Sequence, residues 1–289
     1  MKNLKRYSQL FESQQELTQE QNEWLDKCTS TWGVNPRTGL VDVDGHFDCS
    51  NQGLTDFNGV RFGYVSGYFD CSNNSLTSLE GAPSVGRDFF CHNNKLTSLE
   101  GAPQIVGRSF NCSHNELESL KDCPKYVGGG FDCYKNELKS LKDAPGYVGE
   151  HFDCSRNELT SLEGAPNHIN GYFKCSYNRL KSLKYAPEYV KRAFKCSNNS
   201  LISLEGIPQS VGEGFLFDDN PISDLVSQNA IWEVIKRMKD KKISLEQAVA
   251  EVWEELPQED RVYLAKHHPS LPEEEKRIYR AMELNMKRR

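Results

Sequence analysis

Residues 69–83 read FDCSNNSLTSLEGAP, and residues 152–166 read FDCSRNELTSLEGAP. Cysteine, asparagine and both leucines keep one order in the two stretches, as expected of a reiterated structural unit. Aligned on the cysteine, the units fall at Cys49, Cys71, Cys91, Cys112, Cys133, Cys154, Cys175 and Cys196, in steps of 22, 20 and then 21 residues. A ninth unit carries Phe217 at the cysteine position. Phenylalanine lies two residues before each of these positions, from Phe47 to Phe215. Asparagine follows three residues after, from Asn74 to Asn220, and leucines follow at five and eight, as in Leu76 and Leu79. Proline closes most units, and a Val or Ile beside glycine leads into the next.

Phe-x-Cys has period two, which predicts a short strand with both side chains on its inner face and the residue between them outside. The asparagine amide can bond main-chain groups where the chain leaves that strand, forming a ladder from turn to turn. Leu-x-x-Leu predicts the filling of a returning arc, and proline with glycine turns the chain back without a second strand. One unit buries too few apolar side chains to offset the entropy of ordering its backbone. Stacked units share a continuous core and one parallel sheet, so the expected architecture is a solenoid.

Phe-x-Cys-x-x-Asn-x-Leu resembles the Leu-x-Leu-x-x-Asn-x-Leu core of leucine-rich repeats, and the unit length resembles their short bacterial and phage type. The resemblance covers residues 46–225 and departs from the family in its systematic Phe and Cys, and in its degraded first and last units. It implies an α/β solenoid with short parallel strands lining a concave face, and a non-catalytic scaffold that binds protein.

The cysteines admit three readings. A zinc site needs thiolates converging on one point, which a straight row does not provide. Disulfides need Cβ atoms closer than neighbouring strands bring them. Buried free cysteine acts as a small hydrophobe, and this is the reading adopted. Cys123 occupies a position that is alanine in other units, and Cys28, outside the array, has no evident base partner for nucleophilic work. No catalytic residue, metal or cofactor is therefore assigned.

A net charge of −6 argues against wholesale coating of nucleic acid. No apolar run suits a membrane span, and the opening MKNLKRYSQLFES lacks the apolar core of a secretory signal, so the expected compartment is cytoplasmic, in a bacterium or in a host cell if the chain is viral. Three segments are expected: an N-terminal cap of helices and a hairpin over 1–45, nine repeats over 46–225, and a helical cap or docking region over 226–289. Leu4, Tyr7, Phe11, Leu17, Trp24, Leu25 and Cys28 recur at helical spacing, with Thr18 and Gln21 placed for a capping box. TWGVNPRTGLVDVDG predicts the hairpin. Beyond Leu225 about four helices are expected, with Ile231, Val234, Ile235 and Met238 facing the last repeat, and with capping boxes at Ser244/Gln247 and Ser270/Glu273.

A partner would meet the outward positions beside Phe and Cys. The residue between them reads Asp48, Asp70, Phe90, Asn111, Asp132, Asp153, Lys174, Lys195 and Leu216, passing from acidic to basic. The residue after cysteine includes His92 and Tyr134 among serines, and the flanks add His114, His151, Tyr172 and Tyr177. Aromatic, histidine and mixed-charge side chains make up protein interfaces. Phe90, His92, Asn111, His114, Asp132, Tyr134, His151, Asp153, Tyr172, Lys174, Tyr177 and Lys195 are accordingly the expected partner-binding residues. A structural subunit of a larger assembly, such as a phage particle, is the alternative. An effector-type enzyme is a third reading, opposed by the absence of cysteine from residues 226–289.

Overall fold

The computed structural model describes residues 16–224, 231–241, 247–248 and 251. The helix expected before residue 16 and those expected after Lys241 fall mostly or wholly outside them.

The chain starts with helix α1 (Gln19–Cys28), closed by the expected capping box: the Thr18 hydroxyl accepts from the Gln21 amide, and the Gln21 side chain accepts from the Thr18 amide. Strands β1 (Trp32–Val34) and β2 (Val41–Val43) make the expected antiparallel hairpin. From there each turn of a solenoid contributes one Phe-centred strand, the first being β3 (Phe47–Asp48). Nine such strands form one parallel sheet with Phe paired to Phe throughout.

The structure differs from the expected return path. The Val-Gly segment of each turn forms a second strand, from β4 (Phe62–Val65) to Ser210–Val211. These strands make a second parallel array, a seven-stranded sheet that includes the hairpin and a three-stranded one beginning at His168–Ile169. The hairpin therefore extends the valine side of the solenoid, through β2 pairing with β4, and not the phenylalanine sheet. Glycine after valine has a steric reason. A Cβ on Gly128 would lie 2.2 Å from the Gly107 carbonyl oxygen, and one on Gly149 would lie 2.0 Å from that of Gly128. The turns approach too closely there for any side chain.

Phe rings 47 through 215 stack with centroids 5.2–5.7 Å apart. The repeat cysteines, and both leucines of the motifs from Leu76 to Leu204, are buried beside them in one continuous cluster. Trp24 of α1 closes one end, edge-on to Phe47 at 5.5 Å. At the other end Phe217 is buried, and the same cluster takes in Val234 and Ile235 of helix α2 (Ile231–Lys241). The side chains of Ile231 and Met238 lie outside those described.

The asparagine ladder is present and runs in one direction. Asn94 Nδ2 donates to the Cys91 carbonyl of its own turn and to the Cys71 carbonyl of the turn before, while its Oδ1 accepts from Leu76 N of that earlier turn. Asn115, Asn136, Asn157, Asn178, Asn199 and Asn220 repeat the pattern. The first turn has no predecessor to bridge, and its residue is Gln52. That longer amide reaches the capping helix instead, accepting from Trp24 Nε1 at 2.9 Å and donating to Cys28 Sγ.

Candidate functional site: the outward face of the phenylalanine sheet

Strand pairing puts Asp48, Asp70, Phe90, Asn111, Asp132, Asp153, Lys174, Lys195 and Leu216 in one register across the sheet. Most are only partly exposed, and Asp153 is buried. Their Asp and Asn members hold the backbone. Oδ1 of Asp48, Asp70, Asn111, Asp132 and Asp153 each accepts from the amide two residues on, at 2.9–3.0 Å, closing the turn at the strand's end. This use of Asp and Asn escapes a reading based on strand alternation alone, although the repeated Asp-Cys-Ser is its signal.

The row after cysteine is less exposed than alternation implied. Ser72, Ser113 and Ser155 are buried, because the chain bends immediately beyond them. Every following residue, from Asn51 to Asp219, has φ between 53° and 57°. Asn and Asp tolerate this left-handed conformation best, yet His114, Lys135, Arg156 and Tyr177 also adopt it. His114 and Tyr177 thus stand on the bend and not on the strand.

Where larger residues replace serine, they pack laterally. His92 is half-buried with Nδ1 enclosed and unpartnered. Burial lowers its pKa against the raising influence of Asp70, so the ring is neutral near pH 7. Phe90 lies 6.3 Å from it, edge to face, and Tyr68 lies 6.3 Å from Phe90 on the other side. His46 stacks on Tyr68 at 4.1 Å. One turn on, His114 and Tyr134 meet at 5.3 Å. Burial, then the cation of Lys135 and His92, lower the pKa of His114.

The later turns carry cations. The His151 ring occupies space left by Gly130, whose Cβ would lie 2.2 Å from Nε2. Lys174 pairs with Asp153 at 3.0 Å. Tyr172 has Arg192 at 5.3 Å and Lys195 at 5.7 Å from its ring centre, and Tyr177 has Arg156 at 4.3 Å. The twelve expected residues therefore do not form a single cluster. Phe90 and His92 pack together, as do His114 and Tyr134. Asp132, Asp153 and Lys174 form a charged run, and Tyr172 with Lys195 lies beyond it.

All ten cysteines are buried and unpaired. Burial pushes their thiols up, Cys123 to about 12, with neighbouring thiols adding to the effect along the row. They stay protonated near pH 7 and serve as packing. Among the described residues no group of three or more His, Cys, Asp and Glu side chains is placed to hold a metal ion, and no helix is long and apolar enough to cross a membrane.

The outward residues of the valine sheet were missed by the sequence reading. Tyr64, Ile105, Tyr126 and Tyr147 are exposed on the seven-stranded sheet and Tyr189, at the same position of its turn, on the three-stranded one; Tyr126 stacks on Tyr147 at 4.8 Å. Tyr-Val at 126–127, 147–148 and 189–190 was the available signal.

No protein-family model and no curated protein matches the chain. Among solved structures it is similar to YopM from Yersinia enterocolitica WA-314, with 17% identity and a TM-score of 0.36, over 61% of this chain and 56% of that one. The match thus spans little more than half the length of YopM.

Proposed function

We propose that this chain is a leucine-rich-repeat-type scaffold, without catalytic activity, that binds another protein on the outward face of its phenylalanine sheet. One observation carries the reading. The turn geometry accounts for Asp or Asn between Phe and Cys, and for serine after Cys, because those residues close the bend. It does not account for Phe90, His92, Tyr134, Lys174 or Lys195 at the same positions. These departures are aromatic or cationic, as at the anchoring centre of protein interfaces. A rigid array presents them with little ordering cost on association. The shift from Asp70, Asp132 and Asp153 to Lys174 and Lys195 would orient a partner of opposite polarity.

The test is capture of a protein from the native cell on immobilised chain, identified by mass spectrometry. Tyr134→Ser restores the residue that neighbouring turns use, and Lys195→Ser removes a cation that holds no carboxylate in the sheet. Lys174 is left in place because Asp153 depends on it. The double variant is expected to lose capture at unchanged unfolding midpoint. Undiminished capture would place the site on another surface.

A further inference from the structure

We propose that the valine sheet is a self-association surface on which a second copy of this chain packs antiparallel. The proposal concerns a different face from the one argued above and stands independently of it. Five of the nine exposed large apolar side chains among the described residues stand in this one row: Tyr64, Ile105, Tyr126, Tyr147 and Tyr189. They are held in position, not scattered, since Tyr126 and Tyr147 stack within 5° of parallel and His168 stacks on Tyr189 at 5.0 Å. Eight outward positions at the strand spacing make a strip about 34 Å long. With its flanks the strip offers roughly 700 Å² per copy, close to what a specific pairing needs.

The relief of the strip selects the second copy's orientation. Two positions in the row are small, Ser84 and Ser210, one near each end. Around Ser84 lies a hollow of about 500 Å³, lined by Tyr64, Pro83, Pro103, Gln104 and Ile105 among others. A parallel copy would set Ser84 on Ser84 and leave a void, and would crowd every tyrosine against itself. An antiparallel copy, with its two-fold axis between Tyr126 and Tyr147, brings Tyr189 to the hollow and sets Tyr64 over Ser210. Knobs then meet holes toward both ends of the strip, and between them Ile105 meets His168 and Tyr126 meets Tyr147.

One charge contact fits the same orientation. Beside the row, the earlier turns carry the exposed cations Arg87, Arg108 and Lys125. The later turns carry Glu150, Glu188 and Glu213 with Lys191 and Arg192, and Arg192 is already 3.8 Å from Glu213. Antiparallel packing about that axis brings Arg108 within one strand step of the other copy's Glu150, and sets Arg87 opposite an Arg192 that Glu213 already neutralises.

Sedimentation velocity on the full chain tests this. The wild type is expected to dimerise with a Kd on the order of 10 µM. Ser84→Trp, which fills the hollow, and Tyr126→Glu, which puts like charges at the axis, are each expected to weaken dimerisation by about tenfold or more. Circular dichroism melts should show both variants folded. Arg108→Glu and Glu150→Lys should each dimerise poorly alone and recover when mixed, because the mixed pair restores both opposite-charge contacts. A wild type that stays monomeric at about 200 µM overturns the proposal, even if it captures some other protein through the tyrosines. A dimer indifferent to Ser84→Trp and Tyr126→Glu overturns it equally, since its interface lies elsewhere.

Discussion

Lys174 Nζ lies 3.0 Å from Asp153 Oδ2, across one step of the phenylalanine sheet. The pair marks where the outward row changes sign, and it leaves Asp132, the next carboxylate back, beside Asp153 and further from the cation. Burial is the main reason that the Asp132 carboxyl is pushed up to about 6, with Asp153 adding to it and the Tyr134 amide and Lys174 opposing.

This shift fixes a pH dependence. The folded chain holds the Asp132 proton more tightly than the unfolded chain does, so ionisation costs stability. The contribution is harmless below the unfolded value near 4 and grows as pH rises through about 6. Asp132→Asn keeps the bond to the Tyr134 amide, as Asn111 does with Ser113. It is expected to stabilise the protein by about 1–2 kcal/mol at pH 7 and to leave it unchanged at pH 4. Urea midpoints at the two pH values provide the check.

Asn136→Ala should be among the most damaging substitutions that remove few atoms. It strands the Leu117 amide in the interior and removes one of the two donors from each of the Cys112 and Cys133 carbonyls, which keep Asn115 and Asn157. An unsatisfied buried group costs about 1–3 kcal/mol, and a loss of about that size is expected in urea unfolding. Asn136→Asp should not rescue it, because an ionised carboxylate cannot donate to those carbonyls.

Two glycines one turn apart should respond differently. Gly128→Ala sets a methyl group against the Gly107 carbonyl and is expected to cost about 1–3 kcal/mol. At Gly146 the nearest atom to a new Cβ is 3.8 Å away, so Gly146→Ala should stay within about 0.5 kcal/mol of wild type. Equal effects would contradict the close approach of the turns.

Tyr185 occupies a left-handed position, φ 66°, where neighbouring units use Gly164 and Gly206. Tyr185→Gly should raise stability by about 0.5–1 kcal/mol, as relief of strain exceeds the added freedom of the unfolded chain. Thermal melts of the two proteins would show a higher midpoint for the variant.

The thiols should be silent in the native state. A chromogenic disulfide reagent at about pH 8 is expected to label none of the eight repeat cysteines within minutes, and all of them after unfolding in denaturant. Rapid labelling of Cys133 or Cys154 in the folded protein would refute their role as filling.

The solenoid was legible because each of its requirements is written once per turn. Phe-x-Cys gave the inner face of a strand, Asn the inter-turn ladder, and Thr18 with Gln21 the start of α1. The valine strand was not legible, because two residues are too short for a period to show, and Val-Gly reads as a turn until neighbouring turns are stacked against it. The binding face was legible as a list of positions and not as a surface. Alternation placed Ser72 and Ser155 outside, whereas the left-handed residue after each folds the chain over them. Asp153 read as an outward partner-binding residue, but it is buried and its two oxygens serve Ser155 and Lys174.

The backward reach of the asparagines gives the molecule an order of assembly. In each turn the amide of the first leucine is satisfied only by the asparagine of the next turn, which also adds a second donor to the cysteine carbonyl, as Asn94 does for Leu76 and Cys71. The Phe69 and Cys71 amides likewise await the carbonyls of Asp88 and Phe90. A nascent chain leaving the ribosome can therefore seal one coil only when its successor emerges. Growth from the Trp24 plug proceeds like a zip with a single unfinished tooth.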